Sequence, residues 1–183
     1  TPNGSITTPG RHYIIPVPDD KKAQLNGVNS FNVCVVCNKA SFVAPATEAA
    51  LLKEVVADEL NATAPASFVM IGSATNKKID MATQAGRNLG SIGLKRVAAK
   101  VRVLRPEVDV HGYVQVGDAQ VKLRNYADRG YLATAENVPT AEYKTTDYRP
   151  VTEVLPNGGK AMHFYSYYNE WASPAALGQR PEL

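Results

Sequence analysis

Two cysteines, Cys34 and Cys37, stand three apart in Cys-Val-Val-Cys, a spacing used by metal sites and redox disulfides. No second pair accompanies them, so the motif is half a zinc site at best. It also falls inside the apolar run Phe31 to Cys37, which reads as a strand, and residues three apart on a strand point to opposite faces. The two are therefore expected as buried thiols rather than as a redox or metal pair. Three histidines, His12, His111 and His163, are scattered, and none sits in an HxxxH, HxH or HxxE arrangement. Asp19-Asp20 is a lone acidic pair in a polar turn and reads as solvated. Gly86 to Gly93 is glycine-rich but opens no helix, which argues against a phosphate cradle. No Gly-x-Ser-x-Gly elbow, P-loop or GxGxxG fingerprint occurs. These residues predict no enzyme, no bound metal and no cofactor.

The remaining concentration of charge is in Leu94 to Leu104, Leu-Lys-Arg-Val-Ala-Ala-Lys-Val-Arg-Val-Leu. Val97, Ala99, Val101 and Val103 share one parity, and Arg96, Ala98, Lys100 and Arg102 the other, the period-2 pattern of a strand with one buried face. A one-residue slip would bury the cations, so the register is strongly specified. The run lacks the interleaved aromatic residues of a nucleic-acid surface, and a net charge of +3 over 183 residues gives no bulk attraction for a polyanion. It is expected to be a solvated sheet face, with no nucleic-acid partner.

The elements that must position these residues are mostly short strands. His12 to Pro18 reads as a strand whose prolines push its end to an edge. Asp19 to Gly27 reads as a turn, and Phe31 to Cys37 as a central strand covered on both sides. Thr47 is a helix N-cap followed by Leu51, Leu52, Val55, Val56 and Leu60 at helical spacing, which predicts one helix through Leu60. Phe68 to Gly72 is a strand closed by glycine. Lys78 to Met81 suggests another short strand. Val108 to Val116 and Ala119 to Asn125 predict a hairpin around Gly117-Asp118. Leu132 to Pro156 carries little periodicity, and Met162 to Tyr168 is an aromatic strand. The reading is a mainly-β protein with one inserted helix. No apolar run approaches the roughly 20 residues of a membrane-spanning helix. The opening Thr1 to Gly10 lacks the features of a signal peptide, and there is no initiating Met, so the chain reads as a processed product or a piece of something longer.

Several stretches in this order resemble the fimbrillins, the pilus subunits of Bacteroidales. They are Phe31-Asn-Val-Cys-Val-Val-Cys-Asn38, then a helix, Phe68-Val-Met-Ile-Gly72, Lys95-Arg-Val-Ala-Ala-Lys100, Phe164-Tyr-Ser-Tyr-Tyr-Asn169 and Arg180-Pro181. The resemblance implies transthyretin-like Greek-key β-sandwich domains. One would span 1–106 and be incomplete at its start, and the other would begin at 107–183 and be incomplete at its end. It implies export through the periplasm as a lipoprotein, with a membrane connection only through a lipid anchor on a preceding segment, and a place in a cell-surface fimbrium at the outer membrane. It further implies removal of a first strand by a protease cutting after arginine, and insertion of a neighbour's strand into the opened groove, giving a filament with a role in adhesion. Its partners would be other fimbrial subunits, copies of itself and accessory subunits, together with host or bacterial surface ligands. On that reading the residues facing the groove are Val33, Val35, Val97, Ala99, Val101 and Val103, while Met70, Lys95, Arg96 and Phe164 mark the fold. Two alternatives stand beside it. One is an accessory tip or anchor subunit of the same fimbria, and the other is a glycan-binding sandwich using Tyr165, Tyr167, Tyr168 and Trp171 as aromatic platforms.

Overall fold

The computed structural model describes residues 13–25, 30–40, 43, 45–62, 67–105, 112 and 117–170. The predicted strand at Val108 to Val116 therefore lies almost wholly outside them, as do His12, His111, Trp171 and Arg180-Pro181. The chain divides into two compact units, one of residues 1–34 and 73–93, the other of 35–72 and 94–183. The architecture is mainly β, in several small sheets.

In the first unit Asp19–Leu25 forms a helix, α1, where the sequence suggested a turn. Lys21 and Lys22 donate their backbone N–H groups to Pro18 O, and Asp19 and Asp20 sit in the first turn, where the helix dipole favours carboxylates. The glycine-rich run is a self-closed turn. Asp80 accepts from Ala82 N at 2.8 Å and from the Thr83 hydroxyl at 3.1 Å, and Asp80 N donates to Gly86 O. A Cβ on Gly86 would lie 2.6 Å from Asp80 Cβ, so only glycine closes it.

Strand β1 is Phe31–Cys37, as the sequence predicts, but it stands at the edge of the sheet β1-β3-β4 among the described residues, and none of its side chains is fully buried. Here β3 is Met70–Lys77 and β4 is Lys95–Arg96. Cys34 and Cys37 are both half-buried and not joined by a disulfide.

In the second unit the predicted helix is cut short. Thr47 caps α2 (Glu48–Leu52) by accepting from Ala50 N at 3.2 Å, but Val55–Val56 leave the helix as β2. β-Branched side chains favour an extended chain, and β2 finds a partner in β8 (Gly130–Tyr131). Val56 and Leu60 are still buried, at 3% and 4% exposure, now from β2 and from the turn that follows it. The predicted strand Leu94 to Leu104 is likewise two strands. β4 pairs with β3, and β5 (Ala99–Leu104) pairs with β12 (Lys160–Ser166), with a bend at Val97 and Ala98 where the chain changes sheets. The bend reverses the parity: Ala98 is buried and Ala99 exposed.

Residues 132–156, featureless in sequence, hold three two-residue strands. β9 (Tyr143–Lys144) pairs with β7 (Tyr126–Ala127), β10 (Arg149–Pro150) with β6 (Gln120–Val121), and β11 (Glu153–Val154) with β12. Leu132, Val138 and Val151 are buried there. Strand β12 lies between two apolar clusters. Tyr165 and Tyr167 pack with Val56, Leu60, Val69, Ala127 and Leu132, while Met162 and Phe164 pack with Leu123, Tyr126, Val101 and Val103.

Candidate functional site

The edge of β5 that has no partner among the described residues is the feature with a capacity for binding. The sheet order is β11-β12-β5, so among the described residues β5 has a neighbour on one side only. Its register runs from Leu104 opposite Ala161 to Ala99 opposite Ser166. Arg105 N donates to Lys160 O at 2.9 Å, which fixes the phase of the ladder. Hydrogen-bonded pairs alternate in an antiparallel sheet, so Val101 and Val103 turn their backbone groups toward β12, and Lys100, Arg102 and Leu104 turn theirs to the open side. An open edge of this kind accepts a further strand.

The two faces of β5 differ. Val101 and Val103 are half-buried against Leu123, Tyr126 and Phe164. Lys100 and Arg102 are exposed, opposite Tyr165 and His163 respectively. His163 in turn meets Glu153 across the β11–β12 pair, while Arg105 and Lys160 share Asp118.

Beyond Lys160 and Ala161, which pair with β11, the other side of β12 is closed at Tyr165 by a side chain. Asn61, 4% exposed, donates from Nδ2 to Tyr165 O at 2.8 Å and accepts at Oδ1 from Tyr165 N at 2.9 Å. One carboxamide thus occupies both backbone groups of a residue, as a paired strand would. Arg149 donates to the Asn61 carbonyl and stacks over Phe164, 5.7 Å from the ring centroid. Nothing in the local sequence around Asn61 announced this role.

A second device holds the turn between β7 and β8. Arg129 donates from Nε and Nη2 to the two carboxylate oxygens of Asp128, each at 3.0 Å; Glu142 N adds a bond of 2.9 Å, and Lys144 lies 3.4 Å away. The Arg129 hydrogen bonds lead in holding the Asp128 carboxyl down to about 2, against the opposing effect of burial. Asp128 lines a polar cavity of about 150 Å³ with Asp58, Glu59, Tyr126, Arg129, Lys144 and Tyr167.

The sequence-derived groove residues are distributed as follows. Val33 and Val35 lie on β1 and are half-buried. Val97, at the bend, packs on the Tyr167 cluster; Val101 and Val103 pack together on the Phe164 cluster; Ala99 is exposed. The proposed aromatic platform is not assembled. Tyr167 is 3% exposed with its hydroxyl accepting from Asp58 N at 3.0 Å, and Tyr165 packs on Phe68 with centroids 4.5 Å apart. Tyr168 alone of the described three is exposed, and Trp171 lies outside the described residues. Among the described residues no cluster of His, Cys, Asp or Glu is placed to hold a metal ion, and no helix is long and apolar enough to cross a membrane.

Two curated proteins from Porphyromonas gingivalis, one of them from strain ATCC 33277, are similar to this chain, and both are described as "Major fimbrium tip subunit FimD". Each is 43% identical over 167 residues, 87% of this chain and 24% of the relative, so the chain spans about a quarter of the length of the curated relatives it matches. No protein-family model matches the chain. No solved structure matches it. The homology bears out the fimbrial resemblance of the sequence motifs.

Proposed function

We propose that this fimbrillin-type chain forms part of a structural, non-catalytic subunit of a cell-surface fimbrium, at or near its tip. The observation that carries the proposal is the 43% identity to a fimbrium tip subunit across 87% of the chain. On this reading the subunit is joined to its neighbours by strand addition, in which a backbone ladder supplies affinity and alternate side chains supply register. Val97 at the bend, Ala99, Val101 and Val103 on β5, and Val33 and Val35 on β1, are the proposed groove residues. The free edge of β5 and the edge position of β1 among the described residues support this part of the reading. Adhesion to host or bacterial surfaces, export through the periplasm, a lipid anchor, an arginine-specific activating cleavage, and two transthyretin-like sandwiches meeting near residue 106 complete the proposal.

The test is a gel of the full-length parent protein mixed with its fimbrial partner subunits, in detergent without boiling, before and after arginine-specific cleavage. Bands of higher mass that appear only after cleavage and collapse on boiling support strand addition. A single band under every condition removes it.

A further inference from the structure

We infer that the β5 edge selects its incoming strand by charge. The strand it fits is an extended segment with carboxylates at alternate positions, opposite Lys100 and Arg102, and aliphatic residues between them, opposite Val101 and Val103. The inference rests on the strand-addition reading above and adds the chemistry of the partner.

Three observations on β5 converge. Its outward backbone groups belong to Lys100, Arg102 and Leu104, so the residues that would hydrogen-bond an added strand include the two that carry the cations. Lys100 and Arg102 share one face and stand two residues apart, about 6.8 Å along the strand, which is the repeat of same-face side chains on any strand laid beside it. Neighbouring charges are already matched within the fold: Arg105 and Lys160 on Asp118, His163 on Glu153. Opposite Lys100 and Arg102 on β12 stand Tyr165 and His163, neither of them an acid, and both cations are exposed. Two cations at strand spacing, offered beside an open edge, are complementary to alternating carboxylates.

The opposite face completes the code. Val101 and Val103 rest on Leu123, Tyr126 and Phe164, so an added strand buries its intervening side chains beside an existing apolar cluster. A slip of one residue would set carboxylates beside the valines and aliphatic groups beside the cations, so charge and burial select the same register. Opposite-charge pairs directly across two strands change affinity by about 1.4- to 5-fold each, and like charges oppose pairing. Two such pairs give about 2- to 25-fold discrimination, much of it by rejecting basic strands.

The experiment titrates the 183-residue chain with labelled synthetic peptides of equal length: alternating Val-Glu, alternating Val-Lys, and a block peptide with the Val-Glu composition but no alternation. Heparin serves as a polyanion without strand geometry. Val-Glu is expected to bind about 2- to 25-fold tighter than Val-Lys and tighter than the block peptide, with the preference weakening as salt rises. The double variant Lys100→Glu with Arg102→Glu, both at exposed positions, should retain the parent's thermal melt and reverse the order of the two alternating peptides. Equal binding of Val-Glu and Val-Lys overturns charge selection while leaving strand addition intact. Block peptide and heparin binding as tightly as Val-Glu, all lost in the double variant, overturns it in favour of a polyanion surface. Binding of no peptide overturns it as well; the gel described above then separates a donor docking elsewhere, which still gives bands after cleavage, from failure of strand addition, which gives none.

Discussion

Replacement of Asn61 by alanine removes the group that completes the β12 edge, and its cost follows from the geometry. The carboxamide makes two hydrogen bonds to Tyr165, at 2.8 and 2.9 Å, and its loss strands one backbone N–H and one C=O beside a nearly buried position. A stranded buried group costs about 1–3 kcal/mol. Tyr165 is half-buried, so water replaces part of what is lost, and the low end applies to each group, about 2 kcal/mol in all. For a protein of this size that lowers Tm by about 4–8 °C. Urea unfolding followed by near-ultraviolet circular dichroism of the tyrosines measures the change directly. The Asn61→Asp variant sharpens the test. Its carboxylate keeps an acceptor for Tyr165 N–H but turns a second oxygen toward Tyr165 O, so it is destabilised at neutral pH. Protonation restores a donor. The folded-state carboxyl value is therefore raised, and the variant gains stability relative to the parent as pH falls. An Asn61→Ala change below about 0.5 kcal/mol, smaller than one net hydrogen bond, or an Asn61→Asp protein as stable as the parent at neutral pH, refutes the capping argument.

Further outcomes follow from other contacts. Asp128 has its carboxyl lowered from 3.8 to about 2, so its contribution is fully present above about pH 5 and is lost as pH falls through the folded value near 2. Asp128→Asn should cost about 1–2 kcal/mol at pH 7 and flatten the acid limb of the stability profile, measured by urea midpoints from pH 2 to 7. Gly130→Ala would set a Cβ 2.9 Å from Tyr167 Cβ and 3.0 Å from its Cδ1, and should destabilise by about 1–3 kcal/mol in the same urea assay.

What the sequence disclosed, and what it hid, follows from how far apart the interacting residues lie. Thr47 before an apolar run is a local signal and locates the start of α2, whereas the end of that helix depends on Val55 and Val56 meeting Tyr131 and Gly130, a distant pairing. The aromatic run at Phe164 is a strand in both readings. The division of Leu94 to Leu104 was hidden because Ala98 and Ala99 are both small and apolar: either can take the buried place, so the change of parity leaves no mark in the pattern. Two-residue strands such as Tyr143–Lys144 are too short to show a period of two at all. Asn61 was illegible for a different reason. Its partner is a backbone 104 positions away, and no side chain at Tyr165 specifies it. Of the candidate groove residues, the alternation of Val101 and Val103 carried through to a shared cluster, while Ala99 was drawn in by a parity that the bend interrupts.

The pairing of β5 with β12 also sets a schedule for synthesis. Ala99 must wait for Ser166 and Leu104 for Ala161, just as Val55 must wait for Tyr131, so the β5–β12 ladder closes only when most of the chain has emerged. Topologies built on such distant pairings fold slowly, because long loops close before any contact rewards them. During that interval Val101 and Val103 have neither β12 nor the Phe164 cluster to cover them, and Lys100 and Arg102 are the charges that discourage premature pairing with another nascent chain. The lysine and arginine of this strand thus have a task before the protein is folded, and a chain truncated ahead of Lys160 should aggregate where the longer one does not.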